Sequence, residues 1–224
     1  LVGGDMNGFV GKSIRFIGRE AHAGGAPEQG INALNAAALA LLAINSQRET
    51  FRDQDAVRVH PILTKGGDSV NIVPADVRME TYVRGRTIQA IRDASAKVDR
   101  AIQGAAWSVG AKVEIRQIPG YLPYRHDDGL TQVYAENARA LLGEEHVETA
   151  PLFTGSGDIG DISAVMPAII PSMGGWKGTA HHPSLEVADP YAAYVRPAQL
   201  MAMSVVDLLW DGASKAREVL DHFT

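Results

Sequence analysis

The 224-residue sequence predicts an α+β fold that begins with a four-stranded antiparallel sheet carrying two helices on one face. Between residues 13 and 118, hydrophobic periodicity runs in the order strand, helix, strand, strand, helix, strand. That order is the split βαβ arrangement, and both of its crossovers can be right-handed with ordinary loop lengths. Beyond about residue 120, strand patterns become rare. The remainder is therefore expected to be a structurally different region.

Alternation of apolar and polar residues marks the four strands of the predicted sheet. The first covers residues 13–20, where Ile14 and Phe16 share one face. The second lies around residues 57–63 and the fourth at 113–118. The third, at 77–84, alternates so regularly that one of its faces is expected to contact solvent.

Two helices complete the predicted first half. Pro27 suits the first turn of a helix, and apolar spacing predicts that this helix continues to about residue 48. An apolar stripe from Ile91 to Val109 predicts the second helix, which Gly110 ends. In the second half we expect helices at 130–141 and 200–209, and a short buried strand at 168–170.

These patterns divide the chain into a linker or residual segment at 1–11, a domain at 12–119 and a C-terminal region at 120–224. The middle segment has an ordinary domain size. The last has too few strands for a complete α/β domain, so we expect it to be the rear part of one. Because the chain starts at Leu1 rather than Met, we expect an upstream segment to be missing.

Composition narrows the function classes. Hydrophobic content is 46%, charged residues make up 21%, the net charge is -5, and there is no cysteine. Absence of cysteine excludes disulfides and thiolate metal sites. The sequence has no basic patch of the kind that binds nucleic acid, no apolar run that would span a membrane and no signal-peptide pattern. We therefore expect a cytoplasmic protein with neither nucleic-acid nor membrane partners.

Three histidines are the first candidates for chemistry. His22 lies in a Gly- and Pro-rich turn, where an imidazole could donate to a developing oxyanion or could simply be exposed. His181 and His182 lie in a loop that follows a Gly-rich stretch. Imidazole is the commonest metal ligand, but adjacent side chains diverge, so one of the two is a candidate ligand. A surface loop that happens to contain two histidines explains this pattern equally well.

Asn71 and Arg84 are candidates for binding a carboxylate, which Arg can hold through two hydrogen bonds. A turn-forming Asn and a solvated Arg are the simpler alternatives. Two further clusters resemble metal sites, 126–128 (His-Asp-Asp) and 144–146 (Glu-Glu-His). Each has an ordinary explanation, since Asp128 is expected to cap a helix and 144–146 follows a helix end.

Several motifs together resemble the zinc aminoacylase and glutamate-carboxypeptidase superfamily of metallo-amidohydrolases. The resemblance is closest to the branch of the aminobenzoyl-glutamate hydrolase B subunit, and it extends over nearly the whole chain. Each motif is weak alone, but their shared order is specific. The motifs are Ala21-His22-Ala23-Gly24 with Gly30-Ile31-Asn32-Ala33, Gly66-Gly67 with Asn71-Ile72-Val73-Pro74, Val83-Arg84, Gly155-Ser156-Gly157-Asp158, and His181-His182-Pro183.

The resemblance implies roles for these residues. In that superfamily the split βαβ unit is a lid on the catalytic domain, and lids pair to form a homodimer. By resemblance, His22 reaches into the partner's site and stabilises the oxyanion, while Asn71 and Arg84 hold the substrate carboxylate. His182, which directly precedes Pro183, matches a zinc ligand, with His181 as the alternative. The implied reaction is attack of metal-activated water, at two divalent ions, on the amide of an N-acyl or N-aminobenzoyl, glutamate-like amino acid.

The sequence also departs from the family pattern. The remaining metal ligands and the catalytic glutamate of the family precede the lid, where this chain has only a few residues. Gly157 stands where the family usually has Glu. We therefore expect this chain alone to bind zinc weakly and to hydrolyse nothing. A sister subunit is a possible partner, and a non-catalytic dimerisation or small-molecule-binding module is the competing interpretation.

Overall fold

The computed structural model describes residues 1–223, which divide into two compact units. The lid unit comprises Met6–Pro123 together with Thr154–Asp158. The C-terminal unit comprises Leu1–Asp5, Tyr124–Phe153 and the chain from Ile159 onwards. The residues expected to form a linker, 1–11, are thus shared between the two units.

The lid unit has the expected split βαβ topology, which confirms the predicted fold class. The central strands β1 and β4 are antiparallel, β5 pairs with the other side of β1, and both β2 and β3 pair with the outer edge of β4. The elements in chain order are β1 (Gly8–Ile17), α1 (Ala33–Ser46), β2 (Arg58–Val59), β3 (Ile62–Lys65), β4 (Asp76–Gly85), α2 (Ile88–Ser108) and β5 (Lys112–Pro119).

Two strands differ from the sequence-based expectation. β1 begins at Gly8 rather than at residue 13, because it pairs with β4 along its whole length, from Gly8 opposite Gly85 to Ile17 opposite Asp76. The expected second strand is split into β2 and β3. Pro61 lies between them, and proline has no N–H to donate to a ladder.

Helix α1 begins at Ala33, six residues later than Pro27, so the predicted start is wrong. The Asn32 side chain caps the helix by accepting from the N–H groups of Leu34 and Asn35. Pro27 instead starts a separate single 3₁₀ turn. The chain between them is extended, because Ile31 exchanges both backbone hydrogen bonds with Arg19.

The lid core lies between the inner sheet face and the two helices. Phe16, Val77 and Met79 are fully buried there. The buried face of α1 consists largely of alanines, which allow the helix to approach its neighbours closely. The leucine stripe predicted for α1 is therefore partly wrong, since Leu42 is 66% exposed. On α2 the predicted stripe is buried from Ile91 to Ala105.

The C-terminal unit is mainly helical. Asp127, rather than Asp128, caps its first helix by accepting from the Leu130 N–H at 2.8 Å. The predicted strand at 168–170 pairs with no other strand among the described residues, because the Ile170 N–H donates to the Tyr124 hydroxyl instead. The elements are α3 (Asp128–Leu142), α4 (Ile159–Ser163), β6 (Trp176–Lys177), β7 (Glu186–Val187) and α5 (Arg196–His222), the last interrupted at Trp210–Ala213.

Membrane insertion finds no support in the helices. Across residues 1–223, none combines the length and the apolar character that a bilayer crossing requires.

Candidate functional site

The turn that carries His22 is fixed by backbone contacts between the end of β1 and the start of α1. Gly18 lies so close to Ile31 that a Cβ there would overlap the Ile31 carbonyl oxygen, so a larger residue cannot occupy this position. Beyond it, the Gly18 N–H donates to the Ala75 carbonyl at 2.8 Å. The turn is therefore a constrained projection of the sheet, which suits a residue that must keep one orientation.

The hydrogen bonds of the His22 ring determine which of its nitrogens carries the proton. Nδ1 accepts from the backbone N–H of Gly25 at 2.9 Å and from that of Gly24 at 3.2 Å. A nitrogen that accepts cannot carry the hydrogen, so in the neutral ring the proton is on Nε2. The side chain is exposed. His22 therefore presents an Nε2–H donor outward, which is the group that stabilisation of an oxyanion requires.

Asn71 lies beside His22. The Asn71 carbonyl accepts from the Ala23 N–H at 2.9 Å, and the Val73 N–H donates to the Ala21 carbonyl at 3.0 Å. The Asn71 side-chain oxygen accepts from the Ser69 hydroxyl, which leaves its NH₂ group facing outward from an exposed position. The structure thus brings two of the predicted residues together on one projection, next to an open cleft of about 530 Å³.

Four charged side chains fix the base of this projection. Asp76, the first residue of β4, accepts from Arg15 at 2.6 Å and from Lys65 and Arg78 at 3.3 Å each. The hydrogen bond from Arg15 lowers the pKa of Asp76 to about 2, against a partial opposing effect of burial. Sequence reasoning missed this cluster, although Arg15 and Arg78 lie on the predicted solvent-facing side of their strands.

Arg84 lies at the opposite end of the sheet. It is eight residues from Asp76 along β4, a distance of about 26 Å of strand. Its guanidinium carbon is 5.3 Å from the centre of the Tyr82 ring. Its Nε is buried without a hydrogen-bond partner. One copy of the lid unit therefore cannot bring Arg84 together with His22 and Asn71.

The two adjacent histidines lie in the C-terminal unit, in the loop between β6 and β7. The His182 Nδ1 is 2.8 Å from the Ser184 hydroxyl and 3.1 Å from the Ser184 N–H, so the ring is oriented by its neighbour. When Nδ1 is protonated it donates to that hydroxyl and leaves Nε2 available to an ion. His181 has a left-handed backbone, with φ of 61°. Gly178 makes room for the loop, since a Cβ there would overlap the Ser184 carbonyl oxygen.

These histidines do not by themselves form a metal site. Within residues 1–223, no group of three or more His, Cys, Asp or Glu side chains is placed to share an ion. Structural and catalytic zinc sites need at least three protein ligands. The described residues therefore fit the role of contributing one ligand, and they do not fit that of a complete site.

The cluster at 126–128 forms ion pairs instead. His126 Nδ1 is 3.0 Å from Asp5, and its Nε2 is 3.3 Å from Asp128. Both ring nitrogens face carboxylates, so neither is free for an ion. This cluster lines a cleft of about 680 Å³ in the C-terminal unit, which contains none of the predicted site residues.

Comparison with known proteins identifies the lid unit. Residues 6–106 match the peptidase dimerisation domain of the M20 type. This part of the chain is an M20 peptidase dimerisation domain. The matched range covers β1 to nearly the end of α2, and so includes His22, Asn71 and Arg84. The resemblance to metallo-amidohydrolases deduced from the motifs is confirmed at this level.

Curated relatives extend the similarity beyond the dimerisation domain. Xaa-Arg dipeptidase of Mus musculus is 28% identical over 211 residues, which cover 90% of this chain and 48% of the relative. One of the subunits of p-aminobenzoyl-glutamate hydrolase from Escherichia coli is 38% identical over 101 residues, or 45% of this chain and 23% of the relative. The chain thus spans about half the length of the first relative. The finer resemblance to the B-subunit branch stays a prediction.

Solved structures agree on the fold. An aminobenzoyl-glutamate utilization protein from Klebsiella pneumoniae is 26% identical, with a TM-score of 0.59 over 72% of this chain and 41% of that chain. A dinuclear metal-binding M20 peptidase from Bacillus subtilis is 20% identical, with a TM-score of 0.67 over 93% of this chain and 52% of that chain. The second likeness bears on the fold alone.

Proposed function

We propose that this chain supplies the dimerisation lid and the C-terminal part of the catalytic domain of a metal-dependent amidohydrolase. The reaction is hydrolysis of the amide bond in an N-acyl or N-aminobenzoyl amino acid of the glutamate type. The observation that carries the proposal is the His22 ring, whose Nδ1 accepts two backbone N–H groups and leaves Nε2–H as an exposed donor. A donor fixed in this way stabilises the negative charge that develops on the amide oxygen during attack by water.

The positions of the lid residues support a site shared between two copies. His22 and Asn71 lie at one end of the sheet and Arg84 at the other, about 26 Å away along β4. Arg84 can therefore hold the substrate carboxylate of one site while the His22 and Asn71 of a second copy complete that site. A homodimer related by two-fold symmetry forms two such sites. The dimerisation-domain match supports this assembly.

The apolar surface of the lid supports pairing through α1 and the neighbouring sheet edge. Leu39 and Leu42 of α1 and Ile62 of β3 are exposed. In the sheet, β3 is an edge strand, and unpaired edges readily accept a strand from another chain. We therefore place the homodimer contact on this side of the lid.

The metal enters this proposal through the family resemblance. His182, or His181 in its place, contributes one imidazole, and polypeptide outside this chain completes the ligand set. When bound, the divalent ions supply activation of the attacking water near neutral pH. This chain's own residues orient the substrate and donate the hydrogen bond to the oxyanion.

Subunit mixing tests the proposal in the intact enzyme. His22→Ala is expected to lower kcat about 10²–10³-fold, since it removes an oxyanion donor. Arg84→Gln is expected to raise KM for the carboxylate-bearing substrate. Mixing the two variants forms heterodimers in which one site has both residues and the other has neither. Random mixing should then recover about a quarter of wild-type activity, because half of the dimers are mixed and each restores one of two sites. No recovery would show that both residues act from the same copy.

Metal analysis separates this proposal from a non-catalytic dimerisation or ligand-binding module. The isolated chain is expected to retain little zinc after dialysis and to release no amino acid from N-acyl substrates. The longer protein is expected to retain zinc and to hydrolyse them. If the longer protein held no metal, as measured by mass spectrometry, the enzyme proposal would fail.

A further inference from the structure

The open face of the lid sheet carries a second arginine directly beside Arg84. In the antiparallel pairing of β2 with β4, Arg58 is opposite Arg84, and the next pair, Val59 with Val83, is buried. Residues directly opposite each other point to the same face, with their Cβ atoms about 5 Å apart. Both guanidinium groups therefore extend over the outer surface of the sheet, at the end where the substrate carboxylate is proposed to bind.

Neither guanidinium has a carboxylate partner among residues 1–223. Arg58 donates to the carbonyl of the preceding Val57 at 3.0 Å, and the Arg84 group lies over the Tyr82 ring with its Nε buried and unpaired. Like charges that face each other across two strands destabilise a sheet. A bound anion between them would remove that repulsion and would give the Arg84 side chain the acceptors it lacks.

The surroundings favour a small organic anion. Phe9 is opposite Arg84 on the other side of β4, and its ring is 4.4 Å from that of Tyr82. Tyr121 approaches Phe9 edge-on at 5.4 Å. One flank of Arg84 is thus aromatic and the other is cationic. This arrangement suits a ligand with two carboxylates joined by a short carbon chain.

We propose that Arg58 and Arg84 together bind an amino acid with two carboxylates, so that Arg58 selects glutamate or aspartate at the carboxylate-bearing half of the substrate. This inference rests on the proposed function, in which Arg84 holds the α-carboxylate. Arg58 then holds the side-chain carboxylate. The separation of neighbouring strands, about 4.8 Å, is compatible with the short chain that joins these two groups.

The test compares N-acetylglutamate with N-acetylglutamine, which differ in the charge of the side chain at nearly constant shape. Dissociation constants are measured by NMR titration of the chain at low ionic strength. Wild type should bind N-acetylglutamate about 5- to 10-fold more tightly, the effect of one additional charge-assisted pair. Arg58→Gln should abolish this preference and leave the affinity for N-acetylglutamine unchanged. Arg116→Gln, which changes an exposed arginine of the same sheet face on β5, should keep the preference.

The outcomes distinguish this inference from the proposed function. If Arg58→Gln kept the preference, or if wild type bound both ligands equally, the role of Arg58 would be wrong while that of Arg84 would stand. If Arg84→Gln bound both ligands as wild type does, or if wild type bound neither, the proposed carboxylate site itself would be wrong. Circular dichroism of each variant excludes unfolding as the cause of a loss.

Discussion

The two units of this chain differ in how completely they bury their own apolar side chains. The lid unit has a core cluster of twenty buried hydrophobic residues, whereas the C-terminal unit has one of five. In the C-terminal unit the long helix α5 keeps large apolar residues in solvent, among them Met201, Val206 and Leu209. A lid that contains its own core can fold by itself, while the C-terminal unit has much apolar surface that its own folding leaves exposed.

The same contrast appears in how well the sequence predicted each unit. In the lid, the strand and helix periods reflect burial inside the unit, so the topology could be deduced. In α5 the stripe that includes Val206 and Leu209 has a helical period, yet both side chains are exposed. Periodicity shows which residues avoid water, but it does not show which polypeptide covers them. We therefore expect the lid to be the more stable of the two units.

The largest expected effect is a cavity in the lid core. Phe16→Ala removes a fully buried ring and should lower the free energy of unfolding of the lid by about 3–5 kcal/mol. Urea unfolding is followed by the fluorescence of Trp107, with Trp176 and Trp210 replaced by Phe so that the lid alone is observed. Trp107 belongs to the lid unit, and the other two belong to the C-terminal unit.

The exposed Leu42 provides the control for this measurement. Leu42→Ala should change the lid stability of the monomer by less than about 0.5 kcal/mol. In wild type, the Trp176 and Trp210 signal should unfold at lower urea than the Trp107 signal. A single transition with one midpoint for all three tryptophans would contradict the proposed difference between the units.

A buried ion pair gives the next largest effect. The side chain of Lys12 is fully buried between sheet and helices, and it donates to Asp99 of α2 at 2.7 Å. Asp99→Ala leaves a buried charge without this partner and should destabilise the lid by about 3 kcal/mol. The double variant with Lys12→Met should recover most of that loss, because it removes the charge as well.

The matched control lies on the same helix. Asp93 pairs with Lys97 at 2.7 Å, but its side chain is half exposed. Asp93→Ala should therefore cost less than about 1 kcal/mol in the same urea titration. Equal losses for Asp99→Ala and Asp93→Ala would mean that burial of Lys12 does not set the energy of its pair.

The third prediction makes one substitution in both units. Leu42 of α1 is 66% exposed and Leu209 of α5 is 63% exposed, so Glu is tolerated sterically at either position. Leu42→Glu should weaken lid pairing at least about tenfold, since it brings a charge into the proposed dimer contact. Leu209→Glu should leave the dimer constant unchanged. Sedimentation equilibrium measures both constants, and equal behaviour of the two variants would contradict dimerisation through the lid.

The candidate site could be predicted in part from the sequence. The Gly- and Pro-rich turn indicated that His22 projects from the sheet, and the structure shows the two N–H groups that fix its tautomer. The distance between His22 and Arg84 could not be deduced, because it depends on strand register rather than on spacing in the chain. Arg58 was missed for the same reason, since only pairing of β2 with β4 places it opposite Arg84. The roles of His181, His182, Asn71 and Arg84 stay predictions.

The smallest expected effect concerns the base of the His22 projection and depends on pH. The hydrogen bond from Arg15 lowers the pKa of Asp76 from 3.8 to about 2 in the folded chain. A carboxyl group with a lowered folded-state pKa stabilises the fold above its unfolded-state pKa, and this stabilisation is lost as the pH falls toward 2. Asp76→Asn should therefore cost about 1 kcal/mol at pH 5, since solvent screens the half-exposed Arg15.

The difference between wild type and Asp76→Asn should shrink between pH 4 and pH 2, because protonation of Asp76 then removes the same interaction in wild type. Urea titrations of the Trp107 signal at several pH values measure it. Glu114→Gln is the control, since Glu114 is 4.0 Å from Arg15 and mostly exposed, and it should change stability by less than about 0.5 kcal/mol at each pH. A difference for Asp76→Asn that stayed constant down to pH 2 would show that the carboxyl group stabilises the lid by packing rather than by charge.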